Sequence, residues 1–245
     1  IYQQGKSTAY GYTIPGGMIQ YHLIGPELLV NDEGPCLLPV HDEMGYAESA
    51  LLEPWGCVMA AYTQRRRLEP KPGGIMWIIG QPGDETVFTF SKGLDAPSVI
   101  VLTDVPPSVK TLAGSTGAKI IECNGLTAHD FEALKQEQTG GLGFDDIVVL
   151  NPTSAETVGQ IARLIARRGT CNLVGTEPLD GLTQVDLGRL HYDYIAFLGT
   201  RGPDIASAYG ERRNRCELRP GGTAVFIGAG GPMGQMHVQR ALELP

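Results

Sequence analysis

The sequence predicts an α/β fold built on a doubly wound, mostly parallel sheet. Three observations carry that expectation. Short apolar runs recur that suit strands buried on both faces: IMWII (75–79), SVIVL (98–102), DDIVVL (145–150) and CNLVG (171–175). Helix-like stretches alternate with them, as in a sheet wound by crossover helices. The first run ends in Gly80 and Gly83, which break the strand and let the backbone turn tightly.

The stretch from Gly73 to Asp104 organises the rest. It reads as strand, glycine-bearing turn, helix, strand and acidic residue. Free N–H groups at the start of a helix after the turn favour an anion. Asp104 lies about two dozen positions beyond Gly80, close to the roughly 20-residue offset at which a carboxylate reaches an adenosine ribose. The expectation is a Rossmann-like dinucleotide-binding unit with an altered turn. The pattern G-x-G-x-x-G asks for glycine at 82 and 85, where Pro82 and Glu85 stand. Asp84 and Glu85 add negative charge where a pyrophosphate would lie.

Residues 1–72 precede this unit and differ from it. They are rich in glycine and proline, with strand-like pieces MIQYHLI (18–24) and CLLPV (36–40), and suggest part of a β-rich domain. The run 44–67 is helix-like, with Pro54 dividing it or starting a second helix. LEPKPGG (68–74) is a turn-rich connector.

Beyond Asp104, a helix is expected over Pro107–Gly114, a strand over AKIIEC (118–123) and a helix around FEALKQ (131–136), capped by Thr127 with Asp130. Thr153-x-x-Glu156 reads as a capping box opening a helix whose apolar face is Val158, Ile161, Ala162 and Ile165. Arg163, Arg167 and Arg168 suit its wet face or last turn. HYDYIAFLG (191–199) reads as a later strand, so His191 and Tyr192 are assigned to packing rather than acid–base chemistry.

The pattern then restarts. In RPGGTAVFIGAGGPMGQMHVQRALELP (219–245), the apolar run AVFI leads into Gly228, Gly230, Gly231 and Gly234, then a helix. This is a sharper phosphate-turn signature than the first. His237, on that helix, is assigned to packing or surface.

Composition sets limits. The 245 residues are 42% hydrophobic and 19% charged, ordinary for a globular chain. A net charge of -8 leaves no basic excess for nucleic acid. No apolar run reaches the length of a membrane span. Five unpatterned cysteines point to a reducing, cytoplasmic setting and no structural zinc cluster. Both ends look cut from something longer.

The residues resemble the medium-chain dehydrogenase/reductase superfamily, the zinc-type alcohol and polyol dehydrogenases. GGMIQY (16–21) is similar to the strand ending that family's β-rich, GroES-like catalytic domain, and LLEP (51–54) to its Leu-x-Glu-Pro segment. KPGGIMWIIG resembles the strand into the cofactor turn, VIVLTD the ribose-binding strand, and 185–202 the late strand near the nicotinamide. GPMGQMHVQRALE (231–243) points to the sorbitol dehydrogenase and L-sorbose 1-phosphate reductase branch. On this resemblance the domains are a partial GroES-like domain (1–50), a linking helix (51–72), a Rossmann-like domain (73–220) and the start of a second Rossmann-like unit (221–245).

The resemblance implies an oxidoreductase passing a hydride between an alcohol, sugar or sugar-phosphate substrate and NAD or NADP, with zinc in the intact protein and a homo-oligomeric state. Gly80, Gly83 and Asp104 would hold the cofactor, with Asp104 favouring NAD, and Val174, Gly175 and Gly199 would line the nicotinamide. The second motif, Gly228, Gly230, Gly231 and Gly234, is the rival turn. Glu53 is the sole mapped metal-site residue, with Cys57 four residues on and His41 with Glu43 as weaker metal candidates. No catalytic residue is assigned. The alternative is a nucleotide-binding module of dehydrogenase-like fold without an active metal site.

Overall fold

A computed structural model describes residues 10–11, 13–30, 34–63, 66–211 and 216–243. The chain divides into two compact units, 1–63 together with 216–245, and 64–215.

The unit 64–215 holds a six-stranded sheet. Its strands are β1 (Ile75–Ile79), β2 (Val99–Thr103), β3 (Lys119–Glu122), β4 (Phe144–Leu150), β5 (Ile165–Val174) and β6 (Ala196–Thr200). All pairings are parallel, in the order β3-β2-β1-β4-β5-β6. The doubly wound reading of the sequence therefore holds. The order reverses between β1 and β4, which leaves a crevice beyond the carboxyl ends of those two strands.

One face of the sheet carries α4 (Phe131–Thr139) and α5 (Ala155–Ala162), whose Phe131, Leu134 and Ile161 pack with Trp77, Val101 and Ile147. The Trp77 ring meets Phe131 edge-on at 5.2 Å, and its indole N–H donates to the Thr103 hydroxyl at 3.0 Å. The other face carries α3 (Pro107–Gly114) over Met76, Ile78, Ile100 and Leu102.

The helix expected between β1 and β2 is absent: residues 80–98 form no helix. The residues explain it. Pro82, Gly83, Gly93 and Pro97 interrupt the segment, and Thr86, Val87 and Thr89 are β-branched. Phe88 and Phe90 stand two apart, the period of an extended chain rather than of a helix. Thr89 makes an isolated parallel bridge to Asp204, with its N–H donating to the Pro203 carbonyl at 3.0 Å. The segment keeps the crossover on α3's face and buries Phe88 and Leu94 there. Burial of the Phe88 ring contributes about 2 kcal/mol.

Other expectations shift. α5 is capped by Ser154, whose hydroxyl accepts from the Thr157 N–H at 3.2 Å, so the capping box at Thr153 does not form. Ile165 belongs to β5 rather than to α5. The Asp130 carboxylate accepts from the Thr127 N–H and hydroxyl, both at 2.8 Å, and so braces the turn before α4 rather than capping its amides. His191 and Tyr192 end a short helix, α6 (Leu187–Tyr192), and the strand starts only at Ala196.

Two neighbouring acids at the start of β4 fasten the connector into β1. Asp146 is buried and takes Arg67 in an ion pair at 3.1 Å, the Lys71 N–H at 2.9 Å and the Thr170 hydroxyl at 2.6 Å. Asp145 pairs with Lys71 at 2.7 Å and accepts from the Ile75 N–H at 3.0 Å.

In the other unit, α1 (Pro26–Leu29), α2 (Tyr46–Ala61) and α7 (Pro232–Leu242) are the helices among the described residues. α2 runs through Pro54 without a break. Gln64 and Arg65, in the expected helical run, lie outside the described residues. The pieces 18–24, 36–40 and 224–227, expected as strands, find no ladder partner among the described residues and are not assigned as strands. A strand exists only through its neighbour's hydrogen bonds. Among the described residues no helix is long and apolar enough to cross a membrane.

Replacing Arg67 with Met strands the buried Asp146 carboxylate without its cation. The variant is expected to lose about 3 kcal/mol of stability, read as a lower urea midpoint at unchanged slope.

Candidate functional site

The carboxyl edge of the sheet gathers most of the residues singled out in the sequence. The Gly80 N–H donates to the Thr103 carbonyl at 2.8 Å, which draws the ends of β1 and β2 together. A Cβ at position 80 would stand 2.6 Å from the Asp104 carbonyl oxygen and 3.1 Å from the Val105 Cα. Gly80 is thus required by backbone against backbone. Asp104 itself has a φ of 48°, and both its carboxylate oxygens accept from the Gly125 N–H at 3.1 Å. The structure brings Gly80 and Asp104 together, and the carboxylate is engaged by the loop after β3.

Gly83 turns at a φ of 78° with open space around it, but no helix follows to point N–H groups at an anion. The position is served by Asp84 instead. Its Oδ1 accepts from the Thr86 N–H at 2.9 Å and the Thr86 hydroxyl at 2.6 Å, and its Oδ2 from the Asn151 amide at 2.9 Å. Partial burial pushes the Asp84 carboxyl up, but the hydrogen bonds from Thr86 and Asn151 together prevail and hold it below its ordinary value of 3.8. A fixed carboxylate at this spot repels a second anion.

Asn151 was not singled out in the sequence. It follows β4 directly and has a φ of 44°, uncommon outside glycine although asparagine tolerates it best. The signal was available, since a polar residue just past a central strand at a switch point sits where ligands bind. Gly175 is small for a reason tied to it: a Cβ there would lie 3.1 Å from the Asn151 Cα and 3.2 Å from its Oδ1. Gly175 and Gly199 both line the crevice at this edge, along with Arg201 and Gly202. Val174 does not, because its side chain is fully buried in the core.

The second glycine turn is built differently. Gly228 has a φ of 81°, and the Gly231 N–H donates back to its carbonyl at 3.2 Å. A Cβ at Gly234 would meet the Gly228 carbonyl oxygen at 2.5 Å and the Ala229 Cα at 2.7 Å. The first turn of α7 can therefore lie on the loop only with glycine at 234. Gly230 has nothing within 4 Å of its Cβ position. The N-cap of α7 is Gly231, which makes no side-chain cap, and Pro232 fills the first turn. The Met233 and Gly234 N–H groups have no intrahelical acceptor by geometry. His237 packs against α2, edge-on to Tyr62 at 5.5 Å and within 2.8 Å of its hydroxyl.

The metal candidates do not converge. Glu53 and Cys57 share a face of α2, and the Cys57 thiol donates to the Glu53 carboxylate at 3.2 Å. That bond, with slight burial and the carboxylate's charge, pushes the Cys57 thiol up. His41 accepts from the Glu43 N–H at 3.4 Å, and both residues are exposed. Among the described residues no three His, Cys, Asp or Glu side chains group to hold a metal ion. Two donors on α2 do not fit a tetrahedral zinc site.

No protein-family model matches the chain. It is 28% identical over 221 residues to an uncharacterised protein of Escherichia coli, YggP, covering 81% of this chain and 51% of that protein. It is 25% identical over 214 residues to L-sorbose 1-phosphate reductase of Klebsiella pneumoniae, covering 78% and 50%. That is the branch the sequence resemblance points to. The chain spans about half the length of the curated relatives it matches. Among solved structures it is similar to benzyl alcohol dehydrogenase from Acinetobacter calcoaceticus, at 22% identity and a TM-score of 0.39, covering 69% of this chain and 45% of that one.

Two outcomes are expected. Gly80→Ala forces the ends of β1 and β2 apart and costs about 2 kcal/mol, measured by chemical unfolding. Asp84, held below its ordinary value, contributes stability above about pH 4 that is lost as pH falls through its folded value. Asp84→Asn is expected to flatten the fall in melting temperature below pH 4.

Proposed function

We propose that the chain is the nucleotide-binding portion of an oxidoreductase acting on a polyol, sugar or sugar phosphate, and that the cofactor's pyrophosphate rests on the turn Gly228–Gly234. The observation that carries this reading is the close approach of Gly234 to Gly228 beneath an uncapped helix start. It matches what a phosphate turn needs: one glycine to turn, one to leave the backbone bare and one to seat the helix. The 25% identity to L-sorbose 1-phosphate reductase supports the chemical class.

In this reading the Met233 and Gly234 N–H groups donate to phosphate oxygens, and the dipole of α7 adds to their attraction. Gly230 leaves the backbone approachable. The Tyr62–His237 contact fixes the helix against α2. A nicotinamide, when bound, accepts or gives a hydride. No step is assigned to zinc, because the described donors do not fit it.

Gly80 and Gly83 are not part of this proposal, since the helix that would complete their turn is missing and Asp84 takes its place. Asp104 is held by Gly125 and is likewise left out. The reading of a catalytically incomplete nucleotide-binding module remains compatible with the same turn; turnover by the intact protein separates the two.

Amide NMR of the 245-residue chain titrated with NADH tests the assignment. Shifts are expected at Gly230, Gly231, Met233 and Gly234, and Gly230→Val is expected to weaken binding at least tenfold. Gly83→Asn, which tolerates the left-handed backbone, is expected to leave it unchanged. Shifts confined to Gly80–Asp84 contradict it.

A further inference from the structure

The loop after β3 carries an Asn-Gly pair that the reading above leaves unused. Asn124 is the one asparagine of the chain's five that precedes a glycine, Gly125. The others precede aspartate, proline, leucine and arginine. Asparagine before glycine is the pair most open to ring closure, in which the following backbone nitrogen attacks the side-chain amide carbon. Glycine has no side chain to shield that nitrogen, and its backbone swings most freely. Both residues are exposed, and nothing lies within 4 Å of the Cβ position of Gly125.

Asp104 touches both partners of that reaction. Its N–H donates to Asn124 Oδ1 at 3.0 Å, which draws electron density from the amide carbon. Both its carboxylate oxygens accept from the Gly125 N–H at 3.1 Å, within reach for a general base. Electrophile and nucleophile are thus tied to one residue and face it from the same side of the loop. Two further bonds hold the arrangement. The Cys123 N–H donates to the Leu102 carbonyl at 2.8 Å, so the ladder fixes the backbone up to the residue before Asn124. The other end of the Asn124 amide bonds to the Glu122 carboxylate. The amide nitrogen therefore faces an acceptor and the oxygen a donor, and the group can stand only one way round.

We propose that Asn124 is a self-modifying site, converted through a succinimide to aspartate and isoaspartate with Asp104 as the base. The Gly125 nitrogen loses its proton to Asp104 and bonds to the Asn124 Cγ. The bond from Cγ to the side-chain nitrogen breaks, and that nitrogen leaves as ammonia with the proton passed on from Asp104. Water then opens the ring at either carbonyl. One opening gives aspartate; the other gives isoaspartate, in which the main chain runs through the side-chain carbons. No oxidant or cofactor is consumed. Either product puts a new carboxylate beside Asp104 and Glu122, and like charges at this range repel. The loop after β3 then gives up its hold on Asp104. The site lies in the 64–215 unit and does not depend on the glycine turn at 228–234.

Incubation of the 245-residue chain at neutral pH, folded and unfolded in urea, tests it. Trypsin, cutting after Lys119 and Lys135, releases residues 120–135 for mass spectrometry. Two products with the mass of the aspartate form are expected, one of them labelled by an isoaspartyl methyltransferase. Conversion is expected at least threefold faster in the folded chain than in the unfolded one. Asp104→Asn keeps an acceptor for the Gly125 N–H and suits the left-handed backbone, but it is no base. It is expected to slow conversion at least fivefold at unchanged circular dichroism. Two results overturn the proposal: a folded chain that converts no faster than the unfolded one, or an unchanged rate in folded Asp104→Asn. The first comparison uses no variant, so it decides the matter even where the substitution unfolds the chain.

Discussion

The carboxylate of Asp84, tied by Thr86 and Asn151 at the reversal of the sheet, is the constraint from which the rest follows. It takes three hydrogen bonds beside the first glycine turn, where a nucleotide fold would leave donors for a phosphate. It does so because the chain after β1 is extended rather than helical. The extended course is set by Phe88 and Phe90 at a spacing of two, and by the bridge of Thr89 to Asp204. The sheet thus keeps the strand order of a dinucleotide-binding domain while its first crossover supplies no helix N-terminus.

The two glycine turns separate on the same physical test. At Gly80 the atoms that forbid a side chain are the Asp104 and Val105 backbone just past the end of β2, so that glycine lets the chain leaving β1 pass close to the chain leaving β2. At Gly234 they belong to the loop beneath the helix, so that glycine serves the seating of the helix on its own turn. Only the second arrangement is followed by a helix, whose Met233 and Gly234 amides have no intrahelical acceptor. Glycine counts alone do not distinguish the two roles. The contact each absent Cβ would make does.

Much of the sheet could be read from the residues. IMWII, DDIVVL and the Pro107–Gly114 helix were clear, because continuous apolar runs and a proline at the helix start act locally. The helix after Gly83 was misjudged because strand-turn-strand spacing does not fix what crosses between the strands; the Phe88–Phe90 period carried the information. His191 reads as strand because Tyr194, Ala196 and Leu198 alternate after it, whereas Asp186 accepting the Arg189 N–H starts a helix there. The segments at 18–24, 36–40 and 224–227 have strand-like composition but no ladder partner among the described residues, and pairing is a non-local property. Among site residues, the glycines stood out at once. Asn151 did not, because its bonds to Asp84 and Thr86 come from the ends of β1 and β4 meeting at one edge. Asp145 and Asp146 read only as the start of the strand DDIVVL, yet they anchor the connector through Lys71 and Arg67.

The central claim is that the anion-binding turn of this chain is the second and not the first. A crystal of the chain grown with NADH tests it most directly. The account predicts density for the pyrophosphate against the Gly230 to Gly234 amides, with the Asp84–Asn151 contact intact. Pyrophosphate density over Gly80 and Gly83, with the Asp84 carboxylate displaced from Asn151, would contradict it.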